Sequence, residues 1–228
     1  MPAAHTNKAY EAELKDLREK LLSMGGKVEM AIARSVRAVT DRDSDLAEQV
    51  IESDRELNRL EVEIDDACRR LLALRQPAAS DLRFITTALK IVTDLERMGD
   101  LAANIADRAR DLNQAAPLRP FPDLTKMAEV AQTQLKKSLD AFVESDVARA
   151  EEVMKGDDLL DALYVRLFNE LLAFMMEDAK NIRRTTSLMS IAKNLERLGD
   201  HTTNVAEMVV YMVRGTDIRH PRSRGLPR

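Results

Sequence analysis

Glu96 and Asp100 stand four residues apart in Asp94-Leu95-Glu96-Arg97-Met98-Gly99-Asp100. The same spacing returns in Asn194-Leu195-Glu196-Arg197-Leu198-Gly199-Asp200. An Asn follows at an equal distance in both copies, as Asn104 and Asn204, and Asp107 and Glu207 extend the pattern. In a helix, side chains at i and i+4 lie on one face, so each copy presents a carboxylate pair. Clustered carboxylates beside an amide oxygen suit hard cations such as magnesium, manganese, ferric iron or calcium. The same stripe also fits a solvated face laced with ion pairs. Two features weigh against that plainer reading and keep a shared function open beside it. The stripe recurs with identical spacing, and both copies place a Gly directly before the Asp. A Gly inside a helix costs about 1 kcal/mol relative to Ala, so a close helix contact or an approaching ligand is expected there.

Other residues narrow the chemistry. Cys68 is the single cysteine, so neither an internal disulfide nor a Cys/His zinc site can form. Its neighbours Ile64, Leu71 and Leu72 point to a buried core thiol. Di-iron carboxylate bundles use a Glu-x-x-His pair, and none of His5, His201 and His220 has a Glu three residues earlier. His201 follows Asp200 and points about 100° away from it around the helix, which suits a partner surface or an interhelix polar contact. Asp54/Asn58 and Asp157/Asp161 add i, i+4 oxygen pairs that could face the same sites. Arg97 and Arg197 are expected to pair with acids on an adjacent helix. There is no Gly-rich phosphate loop, no Ser–His–Asp order and no dinucleotide fingerprint, so no catalytic residue and no organic cofactor is expected.

The elements that must hold these residues are themselves duplicated. Ser35, Ala38, Asp43, Ala47, Glu48, Val50, Asp54, Leu57 and Leu60 recur 103 positions later, while the carboxylate motif recurs after 100. The three-residue difference belongs in the loop around Gln76-Pro77-Ala78, because loops tolerate length changes. Hydrophobic residues repeat every three or four positions over six segments: about 7–40, 44–74, 80–112, 124–143, 146–176 and 183–213. Gly25-Gly26 interrupts the first and predicts either a bend or a close contact. Ser80 is the expected N-cap of the third, with Arg83 where a capping box would have Glu. No segment alternates at period two. The fold expected is all-α, two three-helix bundles in tandem about a pseudo-twofold. Residues 1–115 form the first, 116–214 the second, and 215–228 a basic tail with Arg219, Arg222, Arg224 and Arg228 against Asp217.

Composition agrees. Charged residues make up 32% and aromatics 4%, with no Trp and only seven Gly and seven Pro, which is a helical signature. A net charge of −4 argues against a nucleic-acid protein. The start carries no apolar core behind a basic head, so it is not read as a signal peptide. The longest apolar stretches, 171–176 and 208–213, are far short of the roughly 20 residues of a membrane span. A cytoplasmic protein is expected, meeting membranes only through partners.

At the doubled Leu-Glu-Arg-x-Gly-Asp motif the chain resembles the PhoU family. Further blocks carry the likeness: Met24-Gly25-Gly26, Asp43-Ser44-Asp45-Leu46-Ala47, Arg75-Gln76-Pro77 with Ser80-Asp81-Leu82-Arg83, Met175-Met176-Glu177-Asp178, and Asp217-Ile218-Arg219-His220. The resemblance implies a non-enzymatic negative regulator of the phosphate-starvation response and of phosphate uptake. It would link the Pst phosphate transporter, through its ATPase PstB, to the sensor kinase PhoR, and a homodimer is expected. It also implies multivalent metal ions, iron, zinc, manganese or magnesium, at Glu96, Asp100, Glu196 and Asp200. Asp94 becomes Asn194, so the two sites are expected to differ, the second being weaker if the charge of Asp94 is near enough to matter. A carboxylate-bridged metalloenzyme and a metal-free interaction module are the other classes in view.

Overall fold

The computed structural model describes residues 8–219. His5, His220, Arg222, Arg224 and Arg228, named above, lie outside the described residues. Within them the chain is helical with no strand. The elements are α1 Lys8–Thr40, α2 Ser44–Arg75, α3 Ala79–Asn113, α4 Pro122–Glu144, α5 Val147–Lys155, α6 Asp157–Glu177, a short 3₁₀ turn Ala179–Asn181, and α7 Ile182–Arg214. No helix among these residues is long and apolar enough to cross a membrane.

The apolar stripe of α1 buries Leu17, Leu21, Met24, Val28 and Ile32 almost completely, as the 3.6-residue period requires. The three first helices pack on one another, and α4, α5–α6 and α7 do the same. Helices α3 and α7 pack against each other, and α1 meets α4. The motif-bearing helices are therefore the central pair, each with its own bundle behind it. Cys68 is fully buried, and burial pushes its thiol up to about 12.

The α1–α2 corner is repeated at α4–α5. Arg42 and Ser145, 103 positions apart, both adopt left-handed backbone (φ 56° and 53°). Asp43 and Asp146 follow them as N-caps, accepting from Leu46 N at 2.9 Å and Arg149 N at 3.1 Å. Each such cap contributes about 1 kcal/mol. The Arg42 guanidinium donates to the carbonyls of Leu112, Asn113 and Ala115 and so closes the end of α3.

Two expectations about elements need correction. Ser80 is not the cap of α3. The helix opens at Ala79, directly after Pro77-Ala78, and Ala78 occupies the cap position without a side-chain bond. Arg83, instead of completing a box, donates from Nε to the Met212 carbonyl at 3.1 Å, near the end of α7 where Gly215 turns left-handed. The fifth segment is not one helix. It breaks at Gly156 into α5 and α6, whereas its counterpart α2 runs through Ser53 unbroken.

Gly25 and Gly26 part company. Helix α1 is continuous, so there is no break. A Cβ on Gly25 would meet Leu139 Cδ1 at 2.8 Å, whereas one on Gly26 would meet nothing within 4 Å. Gly25 is thus the close-contact position between α1 and α4. Gly26→Ala should raise stability by about 0.5–1 kcal/mol through helix propensity alone. Gly25→Ala should lower it, because Leu139 must move. Thermal unfolding of the two variants should split in sign around the wild-type midpoint.

Candidate functional site

Gly99 and Gly199 mark the places where the motif helices touch their neighbours. A Cβ on Gly99 would come within 2.6 Å of Leu57 Cδ1 on α2, and one on Gly199 would strike Leu160 Cδ2 on α6. The same points lie 3.6 Å from Asp54 Oδ1 and 3.3 Å from Asp157 Oδ1. Each glycine therefore lets a neighbouring helix bring a third acid beside the i, i+4 pair. Asp54 and Asp157 are repeat equivalents, so the arrangement occurs twice.

The acids feel one another. Burial and then the Asp100 charge raise Asp54 above the usual carboxylate range. Burial, Asp100 and Glu61 do the same to Glu96. In the second half, burial, Asp161 and Asp200 push Asp157 up to about 6. Burial and Glu196 raise Asp200. Like charges held together out of water disfavour ionisation, and these directions follow.

The motif acids differ in exposure: the Glu96 and Glu196 side chains are only 15% and 14% exposed, whereas Asp100 is 38% exposed and Asp200 stands exposed. Two basic residues partly offset them. Arg97 pairs with Glu96 at 3.6 Å and Asp100 at 3.4 Å. That corrects the expectation of an adjacent-helix partner: its guanidinium folds back along its own helix. Lys193 pairs with Glu196 from one turn below, and Arg197 stands exposed. Asn104 is exposed, and Asp107 is held by Arg108 and Arg110, so the stripe does not act as one unit along its length.

Asp94 does not join the first site. Its Oδ1 meets His201 Nδ1 at 2.8 Å and accepts from Asn204 Nδ2 at 3.1 Å, both on α7. His201 is thus an interhelix residue, and the triad clasps the two motif helices together. The Asp94 carboxylate is engaged across the bundle interface, the place where the second half has Asn194. The second site is moreover the richer in acid: Asp161 stands where the first has Asn58, and Asp158 where the first has Arg55. In the first site Asn58 Nδ2 donates to Asp54 Oδ2 at 3.0 Å.

One contributor escaped the reading of the sequence. Gln134 on α4 is 5% exposed, and neither its Oε1 nor its Nε2 has a hydrogen-bond partner. Its Oε1 lies 3.5 Å from the point where a Gly199 Cβ would sit, beside Asp157 Oδ1, and its Nε2 lies 3.0 Å from the equivalent point on Gly156. A position-by-position comparison of the repeats carries the signal: Gln134 replaces Ala31, and Gly156 replaces Ser53.

Asp54 Oδ1 is likewise buried without a partner. Orphaned hard oxygens beside mutually repelling carboxylates suit a hard cation in kind. In the rotamers adopted, no three His, Cys, Asp or Glu side chains among the described residues converge closely enough to hold an ion. Filling either site requires the like-charged side chains to swing together.

Fold and site together define a duplicated helical-bundle protein with an acidic seam in each half. The PhoU domain matches residues 21–109 and 124–209. The chain belongs to the PhoU family. It is 43% identical over 217 residues to the Pseudomonas aeruginosa "phosphate-specific transport system accessory protein PhoU homolog", covering 95% of this chain and 90% of that one. The crystal structure of PhoU from Pseudomonas aeruginosa superposes with a TM-score of 0.88 at 43% identity, over 91% of this chain and all of the other. The phosphate transport system regulatory protein PhoU from Streptococcus pneumoniae gives 0.85 at 30% identity, over 92% and 99%.

Proposed function

We propose that this chain is an accessory regulator of phosphate transport that represses phosphate-starvation genes and phosphate uptake when phosphate is plentiful. It does so as a cytoplasmic adaptor, and as a homodimer, between the transporter ATPase PstB and the sensor kinase PhoR. The observation that carries this reading is likeness along nearly the whole chain to relatives named for the phosphate transport system, one of them as its regulator. Long helical surfaces suit partner docking, and no catalytic role is assigned to the acids. Deleting the gene should make a phosphate-responsive reporter constitutive. Unchanged repression in high phosphate would sink the regulatory reading and leave a metal-binding helical protein without a phosphate role.

Glu96, Asp100, Glu196 and Asp200 would hold hard multivalent cations, with Asp54, Asp157 and Asp161 from the neighbouring helices. A bound cation would supply positive charge that relieves their repulsion. Replacing Glu96 by Gln together with Asp100 by Asn should remove about half the bound metal after loading, since one of two equivalent clusters is lost. Elemental analysis reads the result. Wild-type protein without stoichiometric metal, or a double variant that loses none, returns the acids to a structural role. The richer acid content ranks the second site as the tighter.

A further inference from the structure

The geometry points to the outer face of α6 as a docking surface for a second copy of this chain, the two α6 helices lying antiparallel across a twofold axis near Asn169. This gives a face to the homodimer proposed above and rests on that reading. Val165, Phe168, Leu172 and Met176 are between 39% and 83% exposed. At 3.6 residues per turn they fall within about 80° of arc and run for about 16 Å along the helix. Ala162, Asn169 and Ala173 fill the rest of that face, so it carries no charge over this length. The first half shows the same place built to face water. Helices α2 and α6 bury matching residues 103 positions apart, Leu57, Ile64 and Cys68 against Leu160, Leu167 and Leu171. Their outer faces differ. Where α6 has Phe168, Asn169, Leu172 and Ala173, α2 has Asp65, Asp66, Arg69 and Arg70. Arg69 there pairs with Asp65 at 3.4 Å and with Asp66 at 2.8 Å. The bundle therefore does not demand the apolar stripe. Four large apolar side chains in one row reach roughly the 300–600 Å² at which an exposed patch marks an interaction site.

Charge at the two ends selects a second copy as the occupant. Asp158 stands on the face at its N-terminal end, and Lys180 and Arg183 follow its C-terminal end. All three are exposed and, among the described residues, without an ion pair. Antiparallel pairing on a twofold sets the acid of each copy toward the basic corner of the other, twice over. Parallel pairing would set like against like. Residues 1–7 and 220–228 do not match the stripe, since Met1 and Leu226 are their only large apolar side chains.

Sedimentation of the full chain should show a dimer that grows with concentration. Leu172→Asp should raise its dissociation constant by about 100-fold, because the twofold places the unpaired charge at the contact twice. Asp158→Arg should weaken the dimer, and adding Arg183→Glu should restore it. Asn169→Cys, beside the axis, should oxidise to a disulfide-linked dimer. Met176→Cys should not, its two copies lying about 20 Å apart, well beyond disulfide reach. Cys68 is fully buried and does not compete. An unchanged dimer in Leu172→Asp overturns the assignment of the face, and cross-linking at position 176 but not at 169 overturns the antiparallel register. Wild-type protein that stays monomeric at every concentration removes this inference and the homodimer with it, leaves the stripe to a different partner, and does not touch the reporter test of regulation. Unchanged reporter repression, in turn, sinks the regulatory reading and leaves the dimer standing.

Discussion

Valine at both Gly99 and Gly199 should lower the unfolding free energy by about 4–6 kcal/mol, twice the upper range for one overpacked core site. A single methyl at either position already meets a Leu side chain of the neighbouring helix, Leu57 or Leu160, each nearly fully buried. Valine adds two more carbons and stiffens χ1. Both neighbours are buried and must be displaced for the larger side chain to fit, which pushes α3 from α2 and α7 from α6. That displacement also draws Asp54 and Asp157 away from their motif pairs. The expected loss is a large share of a total stability of about 5–15 kcal/mol. Urea unfolding of the double variant, beside Gly26→Ala as an exposed control, measures it. A double variant with the wild-type midpoint would mean that the two glycines are not contact positions.

Metal-free protein should become less stable as pH rises from about 4 to about 6, and multivalent cations should reverse the loss. The sign follows from Asp157. Its carboxyl titrates near 3.8 in an unfolded chain and near 6 in the fold, so between these values the folded chain holds the extra proton. Stability therefore falls with pH across that window, and the full penalty stands above it. With roughly half discounted for solvent screening, Asp157 alone accounts for about 1–2 kcal/mol. Asp54, Glu96 and Asp200 shift in the same direction and add to it. Asp157→Asn should raise metal-free stability at pH 7.5 and flatten its pH dependence, while weakening cation binding at the second site. Calorimetric scans at pH 5 and 7.5, with and without Mn²⁺, report both. Stability that rises steadily across the window in metal-free protein would exclude this coupling.

The six-rod plan was legible because its signal is long and repeated: apolar residues at every third or fourth position, and blocks recurring after about one hundred residues. The break in the fifth rod was not. Its apolar period runs through Gly156 without a stumble, and the break lies where a side chain would come within 3.0 Å of Gln134 Nε2, on another helix and twenty-two positions earlier. The motif carboxylates were legible for the same reason as the rods, since i, i+4 spacing fixes a face. Which neighbouring acid would reach them depends on interhelix depth. Asp54 and Asp157 lie beside the motif glycines only because Leu57 and Leu160 pack there. Asp94 misled because proximity along the chain places it with the first site, while its position on the helix turns it toward α7.

The Asp94–His201–Asn204 clasp also acts as a pairing code. Two copies of the first half would bring together two Asp94 and two Leu101, because Leu101 holds the place of His201; two copies of the second would bring two His201 and two Asn194. Neither symmetric pair can form the bond from His201 to Asp94. Each half thus carries one side of a charge-complementary contact: the first supplies the carboxylate and the second the imidazole, whereas two copies of the second half would set each His201 against the neutral amide of Asn194.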